Sequence, residues 1–323
     1  MNDVCRMKQL ATLLIAAATL SLQGQTFTFC TGSCADLRND EAESIFTTIS
    51  KEEKQFFLWL GDNVYFNYTD WQNESTMREA YMRRFEGDAV QMLLRSSRQL
   101  AIYDDHDYGP NDSDSTFTGK RESAQVFAEF WLETPTQVDL YHDIRWTERY
   151  GDVLMVGLDD RAHRGPLGSV ILGRAQLAWL AEVLEKNKDA SIAFIAVGSQ
   201  VLNEAQVFEN YVRFPEERQQ FLELCARAEM PVVFLSGDRH HGEISQKRVN
   251  GTLLTEITAS PLTSTTHSPS PEELKANKSL LKNTVVNEAH YARVSWQDGK
   301  RLSVQLVNGK GEDLVSKEFN LGR

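Results

Sequence analysis

Cysteine is scarce in this chain, with four residues in 323, at positions 5, 30, 34 and 225. That is too few for a disulfide framework in a protein of this size. Proline is also sparse, at eight residues, and a composition of 41% hydrophobic and 25% charged residues excludes a disordered or low-complexity chain. Positive charge is in deficit. Lys and Arg total 34 against 46 Asp and Glu, a formal charge of -12. An acidic surface disfavours non-specific binding to nucleic acid and docking on anionic lipid. Internal repeats and long apolar spans are missing as well.

The most apolar run lies near the start. Leu10 to Leu22 carries no charge and follows Arg6 and Lys8. It is shorter than the roughly 20 residues a membrane-spanning helix requires, but it fits the h-region of a signal peptide. A signal is therefore expected over residues 1–24 and a single domain over 25–323. The mature chain should be periplasmic or secreted, with no transmembrane segment. Cys5 would leave with the signal, and at least one of the remaining thiols would then be unpaired or held by a metal.

What the sequence has in quantity is strand-like apolar runs ended by acids. Gln25 to Phe29, Phe56 to Leu60, Ala101 to Tyr103, Val153 to Leu158, Ile192 to Val197 and Val232 to Leu235 read as strands. Helices are predicted over Glu41 to Lys51, Ala175 to Leu184 and Phe214 to about Ala228. The alternation predicts a layered α/β fold. Leu253 to Thr258, Ala292 to Trp296 and Leu302 to Leu306 read as shorter strands, the last two joined at Asp298-Gly299. They predict C-terminal antiparallel strands packed beside the first sheet, with a long surface loop over Pro261 to Lys282.

Open sheets bind ligands beyond the carboxyl ends of their strands. Convergence of those ends would assemble Cys34, Asp62, Asp105, Asn111, Asp159 and Asp238 with His106 and His240. Cys34, after Gly32-Ser33, is open to three roles: metal thiolate, nucleophile or buried residue. Asp62 ends a buried strand, where a carboxylate is costly unless paired or metal-bound, and Tyr65 could return to the same point. Asp104-Asp105-His106-Asp107 crowds acids around an imidazole, and cations would relieve their repulsion. Asp238 and His240 offer mixed oxygen and nitrogen donors, with Glu243 placed to orient an imidazole.

In this order, Gly32-Ser33-Cys34, Gly61-Asp62-Asn63-Val64-Tyr65, Asp104-Asp105-His106-Asp107 with Asn111, Leu158-Asp159-Asp160-Arg161 and Gly237-Asp238-Arg239-His240 resemble the PhoD-like alkaline phosphatases of the calcineurin-like metallophosphoesterase superfamily. The resemblance runs from about residue 26 to 245. It implies a two-sheet sandwich flanked by helices and an exported alkaline phosphomonoesterase, with a metal-bound hydroxide attacking phosphorus. By resemblance, Cys34, Asp62 and Tyr65 would hold Fe3+, with Asp62 bridging to a Ca2+ site that includes Asn111, and other divalent ions as alternatives. Asp238 and His240 match the last metal motif and Asp105 is a further ligand. His106 would be the acid and Arg161 would grip phosphate oxygens.

Gly198-Ser199-Gln200 stands where the wider superfamily carries a metal-binding histidine, so the second site should be oxygen-rich and suited to a hard ion. The expected partner is a small phosphate ester. A phosphodiester or phospholipid would use the same metals, with Thr116 to Gln137 and Pro261 to Lys282 shaping the mouth. The competing class is a non-catalytic, calcium-stabilised secreted binding protein. It would need no thiolate, phenol and imidazole aimed at one point.

Overall fold

Short runs of Val, Ile, Leu and Phe buried on both faces build the middle of two sheets. The computed structural model describes residues 26–39, 41–132 and 143–322. The expected signal segment lies outside them, as does part of the expected insertion over 116–137.

The first sheet has the order β12-β11-β10-β1-β2-β3. Its centre is β1 (Thr26–Gly32), β2 (Phe56–Leu60) and β3 (Arg98–Ile102), which run parallel. Antiparallel β10 (His290–Gln297), β11 (Arg301–Asn308) and β12 (Asp313–Asn320) extend it. The second sheet is β4-β5-β6-β7-β9-β8. There β5 (Val153–Gly157), β6 (Ile192–Ala196), β7 (Val232–Ser236) and β9 (Thr252–Thr258) are parallel, between antiparallel β4 (Trp146–Tyr150) and β8 (Glu243–Val249).

Three apolar layers hold this together. Phe29, Phe56, Leu58, Phe194, Leu235 and Val294 fill the space between the sheets. The outer face of the first sheet is covered by α1 (Glu41–Ser50), α2 (Glu74–Arg84), α3 (Asp88–Ser96) and α5 (Lys120–Trp131), through Phe46, Trp59, Tyr81 and Phe127. Between α3 and α5 lies the single turn α4 (Asp105–Tyr108). The second sheet is covered by α6 (Gly173–Lys186) and α7 (Pro215–Ala226), through Leu180, Ile195, Phe221 and Phe234. Helices outside and sheets inside make the expected two-sheet sandwich.

Two expectations need correction. The hairpin strands do not form a separate sheet, because β10 pairs with β1 from Thr26–Gln297 to Thr31–Ala292 and continues the first one. The segment over 261–282 is not a plain surface loop either. It carries α8 (Pro271–Ala276), capped by Ser270, and it buries Leu262, Glu273 and Asn277. The strands that escaped the sequence, β4, β8 and β12, are sheet edges. Their mixed polar sequences lack the doubly buried signature, and charged edges such as that of β12 discourage pairing with another chain.

Candidate metal centre

The parallel strands of both sheets end on one side of the sandwich, and the turns that follow carry the chemistry. Cys34, Asp62, Asp238 and His240 all adopt left-handed backbone, with φ of 56°, 51°, 62° and 55°. Each costs free energy for a residue with a Cβ, and such residues concentrate at functional sites. Glycine makes room between the turns. Gly61 has φ of 91°, and a Cβ there would lie 2.5 Å from Cβ of Asp104; one on Gly237 would meet Ser33 at 2.6 Å.

Donor atoms of Cys34, Asp62 and His240 lie within 4.8 Å of one another. The Tyr65 hydroxyl completes the group, 3.1 Å from Asp62 Oδ2 and 3.3 Å from His240 Nε2. His240 Nδ1 faces the Thr265 carbonyl at 2.5 Å. A carbonyl only accepts, so Nδ1 carries the proton and Nε2 keeps its lone pair for the cluster. Ser260 braces the same place: its hydroxyl donates to Cys34 Sγ at 3.2 Å and accepts the His240 amide at 2.8 Å.

Asp62 also belongs to a second group with Asp105 and His106, again within 4.8 Å. Its Oδ1 accepts the His106 amide at 3.2 Å, and Asp105 Oδ2 accepts that of Asp112 at 2.6 Å. A third group joins Asp105 to Asp112 and Glu209. Asn111 and Asp238 line the same cavity. Asp62 and Asp105 are thus shared between adjacent groups, as bridging ligands must be.

Burial, and then Asp105 and Asp104, raises the Asp62 carboxyl well above its ordinary range. Burial and Asp62 do the same to the Cys34 thiol and the Tyr65 phenol. Asp238 is pushed up to about 6 by burial and by Glu209. Asp105 goes the other way: Arg161, His106 and the Asp112 amide outweigh its burial and hold it low. Concentrated anionic donors of this kind keep protons or take up cations. Among the described residues, buried Asp238 Oδ2 has no hydrogen-bond partner. Sulfur, phenol and imidazole on one side and mainly carboxylate oxygens, with His106, on the other suit two cations of different hardness.

Arg161 departs from expectation. Its side chain is fully buried, Nε donates to Asp104 Oδ1 at 2.6 Å, and its terminal nitrogen pairs with Asp104 and with Glu209 Oε2, the latter at 2.6 Å. It supports the cavity from behind and offers no surface to a phosphate. Arg164 lines the cavity instead, paired with Glu209 at 2.9 Å and packed over Phe214. Asp159 is occupied too, accepting the amides of Ile144, Arg161 and Ala162 and the hydroxyl of Tyr103. Gln200 is buried against Thr258 and takes no place among the donors.

Sequence reasoning missed Glu209 and Asp112. Asp112 follows Asn111 and could have been included with it. Glu209 sits in an irregular stretch with no strand before it, so nothing in its surroundings marks it. The cavity these residues line has a volume of about 760 Å³, floored by the acids and walled on the far side by residues 164–167 and 208–214.

A profile of the PhoD-like phosphatases matches residues 29–310. Among curated proteins none matches the chain. Among solved structures, one titled as the structure of PhoD superposes with a TM-score of 0.73 at 13% identity, covering 92% of this chain and 70% of its own. The purple acid phosphatase PPD1 from yellow lupin (Lupinus luteus) seeds gives 0.67 at 10% identity, covering 92% of this chain; the match spans 54% of the lupin chain. GAP50 of Plasmodium, described as the anchor in the inner membrane complex, gives 0.62 at 12% identity over 92% and 90% of the two chains. An anchor shares the fold with phosphatases, so the fold does not decide the function.

Proposed function

Because the chain belongs to the PhoD-like phosphatase family and is thereby a phosphoester-hydrolysing enzyme, we propose that it works on Fe3+ and Ca2+ as an exported alkaline phosphoesterase. The observation that carries this reading is the convergence of Cys34, Asp62, Tyr65 and His240 on one point, with Asp105, Asp112 and Glu209 beside it. A calcium-stabilised binding protein has no use for the thiol, phenol and imidazole. In this reading Cys34, Tyr65, Asp62 and His240 hold the iron. Asp62 is shared with the calcium side, where Asp105, Asn111 and Asp238 contribute oxygens. Bound cations would neutralise phosphate charge and acidify water.

The chain's own residues do the rest. His106 reaches the cavity with its ring 4.5 Å from that of Tyr65 and its amide fixed on Asp62 and Asp105. It is placed to pass a proton to the departing alcohol oxygen. Arg161 acts as a positioning residue, holding Asp104 and Glu209 in register beneath the donors. Arg164, nearly buried and paired with Glu209, lines the cavity wall and adds positive charge on the side from which the ester's anionic oxygens enter. Metal ligands must shed protons before a cation binds, so activity should climb toward alkaline pH.

Of the two ester classes that the motifs leave open, phosphomonoester and phosphodiester, the diester fits better. A terminal phosphate would call for a tight pocket around a free guanidinium, whereas Arg161 is sealed off and the cavity is broad. The test is hydrolysis of matched chromogenic mono- and diesters by metal-loaded protein across pH. Faster diester turnover that rises with pH supports the reading. A pure monoesterase would overturn the diester preference, and no turnover of either would overturn catalysis.

A further inference from the structure

The far wall of the cavity carries a feature that phosphate chemistry alone does not require. Phe208 is 53% exposed and Leu167 is 57% exposed, and both line the mouth. Single exposed apolar residues are ordinary, but large ones paired at a ligand cavity mark the part of the ligand they contact. Phe208 also has φ of 43°, a left-handed conformation that is an outlier for a bulky residue and persists only where its surroundings impose it.

The surroundings hold the ring in that conformation. Arg213 donates to the Phe208 carbonyl at 2.6 Å. The Arg239 guanidinium lies 4.4 Å from the ring centroid, itself fixed by a buried ion pair with Glu273. His267 meets the ring edge at 5.1 Å between centroids, while its amide is tied to the His240 carbonyl. Leu167 is placed by the same wall, since the Gly168 amide donates to the Arg213 carbonyl at 3.0 Å. The next residue after Phe208 is Glu209, which reaches the oxygen donors at the cavity floor. One short segment thus presents a carboxylate to the cation side and an aromatic face to the mouth.

We propose that Phe208, with Leu167 on the same wall, is a specificity platform that stacks an aromatic group on the alcohol portion of the substrate, so that aryl-bearing phosphate esters are favoured over small alkyl ones. The proposal rests on the hydrolase reading given above. An aromatic ligand ring adds offset stacking to the area it buries on Phe208, and stacking on a protein aromatic is worth about a tenfold gain in affinity per ring. Arg239, which lines the same cavity, lies over one face of the Phe208 ring and fixes the platform's tilt.

The test uses metal-loaded protein hydrolysing a chromogenic phosphoester, with benzyl methyl phosphate and dimethyl phosphate as competing ligands. These differ by one ring. The benzyl compound should inhibit about tenfold more tightly in the native protein. That ratio should fall close to one in Phe208→Ala, persist in Phe208→Trp, and drop about threefold in Leu167→Ala through lost apolar contact. If Phe208→Ala does not fold, Leu167→Ala and Phe208→Trp still decide the matter. Equal inhibition by both ligands in the native protein, or an unchanged ratio in Leu167→Ala, would overturn the platform. No hydrolysis of the chromogenic ester by any metal-loaded form would count against the hydrolase reading instead.

Discussion

The two walls of the cavity are made in different ways. The donor wall comes from turns directly after the parallel strands, and its donors hang on backbone fixed by sheet hydrogen bonds. Cys34, Asp62 and Asp238 each follow a buried strand by only a few residues. The opposite wall comes from the long stretches 161–172 and 197–214, which contain little regular structure and are tied by side chains. Arg161, Arg164, Glu209 and Arg213 do the tying. Chemistry that must be positioned to a fraction of an ångström sits on the rigid wall. Selectivity sits on the irregular one, where loops tolerate change.

The sharpest way to break this contrast is at Asp62. Asp62→Ala removes the carboxylate shared by two donor groups and should lower turnover by roughly a thousandfold, with metal content falling alongside it. Retained metal and near-native turnover would show that the donor wall does not work as a unit. The second test is at Arg161. Arg161→Met leaves Asp104 buried without its partner and should cost about 3–5 kcal/mol in urea unfolding. A protein of native stability with only a raised KM would return Arg161 to the substrate and undo its role as a brace.

A smaller effect is expected at His163, whose half-buried ring lies 3.1 Å from Asp143. That hydrogen bond raises the imidazole above its ordinary value, despite partial burial. A folded-state pKa above the unfolded one means stability fully present below about 6.5 and lost as pH rises through the raised value. His163→Gln should therefore lower the free energy of unfolding more at pH 6 than at pH 8, by no more than about 1 kcal/mol because the pair is partly screened. An equal loss at both pH values would assign His163 to packing alone.

The same contrast explains what could be read from the sequence. Strands such as Phe56–Leu60 and Val232–Ser236 announce themselves because burial on both faces demands unbroken apolar runs, and the acids that end them stand out. The two-sheet sandwich and most of the donor wall were legible for that reason. Edge strands were not, since β4 and β12 satisfy only one face or none. Arg161 stood out in the sequence but its burial did not, because whether a guanidinium faces ligand or a buried acid depends on Asp104 and Glu209, which come from distant parts of the chain. Glu209 and the left-handed Phe208 left no local pattern at all. Glu209 is held by Arg161 and Arg164 and the Phe208 ring by Arg239 and His267, which only the folded chain brings near.

The role proposed for Cys34, Asp62, Tyr65 and His240 is to hold together a cation that the enzyme needs. It is tested most directly by iron content and the visible spectrum of the purified native protein beside Tyr65→Phe. Stoichiometric iron and a visible phenolate-to-iron absorption band are expected in the native protein, with that band lost in Tyr65→Phe. A colourless native protein that is free of iron and fully active would contradict it.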